Sequence, residues 1–307
     1  MVAALKLPAG VEVFERGWLS SNNIFFDNGD LSWLVDSGYA THCAQTLELL
    51  ESRLNGRPLN FLINTHLHSD HCGGNAALQC KYSALRTVIP PGQAQLVSSW
   101  DADGLFYIPT GQICPRFRFD RTLNIGTDMQ LGLQRWQVHS AGGHDPHAVI
   151  FFEPINRVLI SGDALWQNGF GVVFPELEGI SAFEDVESTL SLIERLNPSI
   201  VIPGHGPIFN YSGEILSAAR QRLDAFVKNP MKHARHAAKV LLKFKLLESQ
   251  RQLFADYLNW AEATPCLRQY QAQFFNGSEF KTWVEAMCIE LVKSGVARRE
   301  GIYILNA

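Results

Sequence analysis

Four side chains able to ligate a metal fall within six residues, His66-Leu67-His68-Ser69-Asp70-His71, directly after the run Phe61-Leu62-Ile63-Asn64-Thr65. That run is short and nearly all apolar, so it reads as a strand with both faces buried. The cluster then sits at a strand's C-terminal end. Imidazole and carboxylate groups are seldom buried without partners, because desolvating them is costly. Packing therefore does not explain four of them together. The mixture suits zinc, iron or manganese, and the lack of Cys favours an open catalytic site over a closed structural one. Gly73-Gly74 permits a tight turn into a following helix, with Asn75 placed to hydrogen-bond behind the ligands.

Strand-like and helical stretches alternate from residue 10 to about 210. VEVFERG, NNIFFDN and LSWLVDSG read as a meander bounded by Asn, Asp and Gly, and Thr41–Leu54 has helical apolar spacing. A helix over 91–100 follows Pro90-Pro91. MQLGLQRWQVHS, HAVIFFE and RVLISGD repeat the strand plan, a helix covers about Ser181 to Leu196, and SIVIPGHG closes it. Such a pattern predicts an α/β fold in four αββα layers, with two sheets inside and helices outside.

Three further candidates stand where later strands end. His144 follows Gly142-Gly143, Asp163 follows RVLISG, and His205 lies in Pro203-Gly204-His205-Gly206. Glycine beside each is how a scaffold presents a side chain to a cleft.

In this order, T-H-L-H-S-D-H, G-G-H-x-x-H, S-G-D-A and P-G-H-G resemble the metallo-β-lactamase superfamily over roughly residues 10–210. The resemblance implies a metallo-β-lactamase sandwich and two divalent ions, with zinc favoured over iron or manganese. It implies that His66, His68 and His144 hold the first ion and that Asp70, His71 and His205 hold the second, with Asp163 bridging. Antibiotic-degrading zinc lactamases of this family place Cys where Asp163 stands. The chain is instead similar to the glyoxalase II, lactonase and ribonuclease-like branches. Two ions sharing Asp163 would share a water and lower its pKa toward about 7.

The same resemblance gives Asp70, or a second metal-bound water, a proton-delivering role and places His147 near the substrate, as proton donor, orienting group or structural histidine. Asp36 in LVDSG and His139 are expected to support ligands from behind. His42, His233 and His236 lie on helices without metal spacing and are expected to be solvated. Trp166, Phe170 and Phe174 follow Asp163 in an apolar loop and, with Phe106 and Tyr107, are candidates for a pocket lining or for ordinary core.

Beyond about Gly213 the strand signal fades. ILSAARQRLDAFVKN, MKHARHAAKVLLKFKLLESQ and EFKTWVEAMCIELVKSG are amphipathic at helical period, and VARREGIYIL reads as a hairpin. These features define a catalytic domain over 1–214 and a smaller helical domain over 215–307 that is similar to a winged-helix module. Residues 215–307 carry 14 Lys/Arg against 8 Asp/Glu, and the rest carry 12 against 22. Basic residues are interleaved with acidic ones, so a lid that shapes the substrate mouth is favoured over nucleic-acid binding. The stretch near Tyr257–Phe275 is a candidate homodimer contact.

The leading expectation is a hydrolase that uses a metal-bridging hydroxide to cleave a small-molecule ester, thioester or lactone. A phosphodiesterase or endoribonuclease, a single-iron persulfide dioxygenase and a non-catalytic binding site are the alternatives. A net charge of −4 points to no strongly charged partner. No run of 18 apolar residues predicts a membrane span, nothing at the N-terminus reads as a signal peptide, and six scattered cysteines fit a reducing cytoplasm. P-loop, Rossmann, G-x-S-x-G and H-E-x-x-H signatures do not occur.

Overall fold

A computed structural model describes residues 5–307. They form two compact units, one of the described residues through Asp101 with Ile113–Asp224, the other of Ala102–Gln112 with Ala225–Ala307. Among the described residues no helix is long and apolar enough to cross a membrane.

The first unit opens with an antiparallel meander, β1 (Val11–Phe14), β2 (Asn23–Asp27) and β3 (Ser32–Val35). Then come α1 (Cys43–Leu54), β4 (Phe61–Ile63), α2 (Ser69–Cys72), α3 (Asn75–Lys81), β5 (Arg86–Ile89), α4 (Ala94–Ser99), α5 (Tyr107–Thr110, in the other unit) and β6 (Arg121–Thr122). From β3 to β6 the pairing is parallel, and α1 and α3 supply crossovers that parallel neighbours require.

A second sheet follows from β7 (Asp128–Leu131), β8 (Gln134–Ser140), β9 (Val149–Glu153), β10 (Val158–Gly162), β11 (Ile200–Pro203) and β12 (Phe209–Asn210). Its order is β12-β11-β10-β9-β8-β7. Only β10 and β11 run parallel in it, joined through α6 (Phe174–Leu177) and α7 (Phe183–Leu196). The sequence around 129–140, read as one strand, is a hairpin: Gly132 takes a φ of +59° and turns β7 into β8.

Period-two alternation builds the layers. Ile24, Phe26, Trp33, Val35, Ile63 and Val88 of the first sheet pack with Trp136, Val138, Phe151, Ile160 and Ile202 of the second. The intervening residues Phe25, Leu34 and Leu62 turn the other way, against Leu50 and Leu54 of α1 and Leu78 of α3. On α7, Val186, Leu190 and Ile193 are buried at helical spacing. The result is a metallo-β-lactamase-type αββα sandwich.

In the second unit α8 (Gly213–Lys228), whose last turn alone belongs here, is followed by α9 (Pro230–Ser249), β13 (Arg251–Leu253), α10 (Phe254–Ala263), α11 (Pro265–Phe274), α12 (Phe280–Lys293), β14 (Ala297–Glu300) and β15 (Tyr303–Asn306). The Asn229 side chain caps α9 by accepting from Lys232 N at 3.0 Å. The terminal hairpin gains an extra strand, β13, which pairs with β15. His233, expected in solvent, is fully buried on α9 beside the Phe226 ring. Helical spacing turned it toward the apolar face with Ala234, Ala237 and Leu241.

Phe151 lies between the two sheets with no exposed surface. Its replacement by Ala should cost about 3–5 kcal/mol of unfolding free energy, read as a lowered urea midpoint at unchanged slope.

Candidate metal centre

Each predicted ligand leaves the sandwich at the end of a strand. His66 and His68 follow β4, Asp70 and His71 ride on α2, His144 follows β8, Asp163 follows β10 and His205 follows β11. A bulge in the β10–β11 register between Ile160 and Gly162, with Gly162 at φ +49°, turns Asp163 out of the sheet. All seven gather into two groups, His66, His68 and His144 in one and Asp70, His71, Asp163 and His205 in the other. Within each group one donor atom per residue lies within 4.8 Å of the others.

Asp163 joins the groups. Its Oδ1 lies 3.3 Å from His71 Nε2 and 3.9 Å from His205 Nε2, and its Oδ2 lies 3.4 Å from His144 Nε2. His68 Nδ1 is 2.8 Å from His144 Nε2, and Asp70 Oδ2 is 3.0 Å from His205 Nε2. Such approach leaves no room behind the carboxylate. A Cβ on Gly204 would come 2.2 Å from Asp163 Oδ1 and 2.9 Å from His71 Cε1, and one on Gly171 would come 2.5 Å from His144 Nδ1.

Hydrogen bonds behind the rings decide which nitrogen faces inward. Asp36 sits at φ +59°, a conformation Asp tolerates better than most residues. Its Oδ1 accepts from Thr65 N at 2.9 Å, and its Oδ2 accepts from Thr65 Oγ1 at 2.8 Å and His71 Nδ1 at 2.7 Å. Because the Thr65 hydroxyl spends its proton on Asp36, it can only accept from His66 Nδ1, 3.1 Å away. His144 Nδ1 donates to the Val172 carbonyl. The inward Nε2 atoms of His66 and His144 therefore carry lone pairs, and His71 presents one once it gives up the proton that Asp163 and Asp36 favour in the metal-free protein. His66 Nε2 is buried with no hydrogen-bond donor among the described residues. A buried lone pair facing other lone pairs and two carboxylates fits a divalent cation.

Electrostatics set the rings apart. Burial, together with His71 and His68, pushes His66 far below the usual imidazole range, and burial with His144 pushes His68 down to about 4. Both rings are thus neutral and able to ligate near pH 7. Burial opposes charge on His71, but Asp163 and Asp36 outweigh it and hold the group well above its ordinary range. Burial raises Asp163 and Asp70, yet His71 and His205 for the first, and the His205 hydrogen bond for the second, keep both carboxyls below their usual values.

The remaining candidates divide. Asp36 stands behind His71 as expected, whereas His139 remains on β8 with its Nε2 3.3 Å from Gln137 Oε1. His147 is half-buried, its backbone N–H held by Asp145 Oδ1 at 2.6 Å and its ring lying over Gly92. Phe174 faces His68 and His144 edge-on or tilted, while Phe170 is buried under the Arg222 guanidinium. Phe106 and Tyr107 belong to the second unit. Sequence reasoning missed Asp145, buried with Oδ2 3.9 Å from His68 Nε2, although the G-G-H-D context adjoins a predicted ligand. It also missed Trp18, which stacks on His205 at 5.5 Å and 8°.

The chain belongs to the metallo-beta-lactamase superfamily, whose model matches residues 16–205. It is 27% identical over 154 residues to a hydroxyacylglutathione hydrolase of Brucella anthropi, covering 50% of this chain and 47% of that protein. The chain thus spans about half the length of the curated relatives it matches. A beta-lactamase domain protein from Burkholderia ambifaria shares the fold over 99% of this chain and 93% of that one, at 20% identity and a TM-score of 0.58. A structure solved in a di-iron-bound form is 25% identical, with a TM-score of 0.53, over 69% of this chain and 98% of its own. Members of this superfamily are usually metal-dependent hydrolases, and the His/Asp cluster is a potential metal site in this chain.

Two predictions follow from the ring geometry. Asp36→Ala should leave the fold intact by circular dichroism and weaken metal binding about 10–100-fold in a chelator competition, because His71 loses the acceptor that fixes its tautomer. In the metal-free protein His66 and His68 are held neutral, whereas in the unfolded chain they titrate near 6.5. Protons then favour the unfolded state, so their contribution to stability is full above about 6.5 and is lost as pH falls toward 4. His71 works oppositely, stabilising below 6.5 and losing that contribution as pH rises through its elevated value. His66→Gln, which removes one of the neutral rings, should therefore shrink the drop in metal-free melting temperature between pH 7 and pH 5 relative to the wild type, as read by calorimetry.

Proposed function

We propose that this chain is a hydrolase holding two divalent ions, one on His66, His68 and His144 and the other on Asp70, His71 and His205, with Asp163 between them. The observation that carries this reading is the split carboxylate of Asp163, one oxygen toward His71 and the other toward His144. A relative crystallised in a di-iron-bound form supports the count of two. Zinc, iron and manganese all suit this donor set. Bound there, the ions would lower the pKa of a water and polarise a carbonyl.

The chain's own residues do the rest. Asp36, Thr65 and the Val172 carbonyl hold the imidazoles by their outer nitrogens, so that the inner lone pairs converge without reorganisation. Trp166 Nε1 donates to Asp163 Oδ1 at 3.2 Å and restrains that carboxylate. Asp70, whose Oδ2 lies 3.0 Å from His205 Nε2, is the proposed carrier of a proton to the leaving group. His147 is the proposed partner for substrate, its backbone anchored by Asp145.

The substrate class is a small ester, thioester or lactone. The hydroxyacylglutathione hydrolases it resembles are named for cleaving an acyl-glutathione, a thioester, and Phe174 lends the site an apolar flank.

Elemental analysis of the purified chain should find two metal atoms per chain. Asp163→Asn should keep the fold, reduce that count, and lower kcat for thioester hydrolysis by about 10³-fold. Full turnover in Asp163→Asn would sink the bridging role. One iron per chain with oxygen consumption would replace the hydrolase by a mononuclear dioxygenase.

A further inference from the structure

Cys72 Sγ lies 3.7 Å from Cys114 Sγ, two thiols in contact although the residues are 42 positions apart. Cys72 follows directly on the proposed ligand His71, ends α2 and is fully buried. Cys114 is half-buried, in a stretch without regular secondary structure. Solvent therefore reaches one thiol of the pair and not the other.

A single short segment holds the contact from both sides. Ser37 N donates to His71 O at 2.7 Å and Gly74 N donates to Gly38 O at 3.0 Å, so residues 37–38 grip the ligand-bearing turn. A Cβ on Gly73 would come 2.6 Å from Ala40 N, which shows how closely α2 sits against this segment. Tyr39, between them, accepts at its hydroxyl from Ile113 N at 3.0 Å, immediately before Cys114. Further along, Arg118 N donates to Gln79 Oε1 at 3.1 Å and Gln79 Nε2 donates to Arg118 O. Cys114 thus stands on a short span between two anchors, with its sulfur kept beside Cys72.

The hydrogen bonds leave the sulfurs facing each other. The single Cys72 proton has acceptors in the carbonyls of Leu67, 3.4 Å away, and His68, 3.3 Å away. A thiol that donates elsewhere turns lone pairs toward its neighbour. A disulfide needs the sulfurs at about 2.05 Å. The irregular span carrying Cys114 supplies the remaining approach, because α2 is the better held of the two.

We propose that Cys72 and Cys114 are a modification site, at which a hydroperoxide closes an intrachain disulfide between the ligand-bearing turn and the span 113–117. ROOH gives an OH group to the Cys114 sulfur as its O–O bond breaks, and it leaves as ROH with the proton of that thiol. The Cys72 sulfur then bonds to the Cys114 sulfur, the S–O bond breaks, and the departing hydroxide takes the Cys72 proton to leave as water. The two thiols lose two electrons and the hydroperoxide gains them. Closure ends the oxidation of Cys114 at a stage that thiols reverse. No turnover at the metal centre is needed, so this site and the hydrolase reading stand or fall separately.

The test treats the reduced full chain with hydrogen peroxide under native conditions, alkylates it with iodoacetamide and maps its peptides by mass spectrometry. The Cys72 and Cys114 peptides should be recovered joined, lighter by two hydrogens than the two thiol forms, and dithiothreitol should separate them. Cys80, which is exposed, should remain in unlinked peptides. The oxidised wild type should melt about 5 °C above the reduced form, because the link restricts the unfolded chain, and Cys114→Ser should show no such rise. In Cys72→Ala, Cys114 should instead be recovered as its sulfinic acid. Recovery of both wild-type cysteines alkylated, or of Cys114 as sulfinic acid beside a free Cys72, would overturn the proposal. A link formed only between two chains, or only after denaturation, would overturn it as well.

Discussion

Everything at this site depends on placing two carboxylates and five imidazoles around one point inside a low-dielectric body. Left uncompensated, those lone pairs and charges would be costly. The cost is met in two ways: outer nitrogens of His66, His71 and His144 find fixed acceptors in Thr65, Asp36 and the Val172 carbonyl, and the inner atoms are left facing one another. With its outer nitrogens bonded and the inner atom of His66 left without a partner among the described residues, the cluster is a potential cation site.

The sandwich supplies the rigidity this needs. Five strands deliver the candidate ligands or their supporting residues at their C-terminal ends: β3 brings Asp36, β4 brings Thr65 and His66, β8 leads to His144, β10 to Asp163 and β11 to His205. Because the core between the sheets is filled by interdigitated side chains such as Phe26, Trp136 and Phe151, the strand ends do not drift independently. Glycines then permit the final approach, and Gly204 is the clearest, since any side chain there would occupy the space of the Asp163 carboxylate.

Aromatic residues define a second theme. Phe174 stands against the His68 and His144 side, and Trp18 with Trp166 stands against His205.

Much of this was legible in the residue order. Ligand types in H-x-H-x-D-H form, glycine-flanked His144, Asp163 and His205, and strands with period-two alternation are local signals, written in a few consecutive residues. Long amphipathic helices such as α7 and α9 were equally plain. Short elements were not: the hairpin at Gly132 and the strands β6, β12 and β13 are two to four residues long or turn within an apolar run, so no period develops. The burial of His233 depended on which face of α9 met other helices. Only the tertiary structure could show that Asp163 turns one oxygen to each imidazole group, that Asp145 backs His68, and that Trp18 covers His205 from 187 positions away in the chain. Local patterns reveal which residues have the chemistry; distances between strand ends and loops, set by packing of the whole sandwich, decide which of them meet.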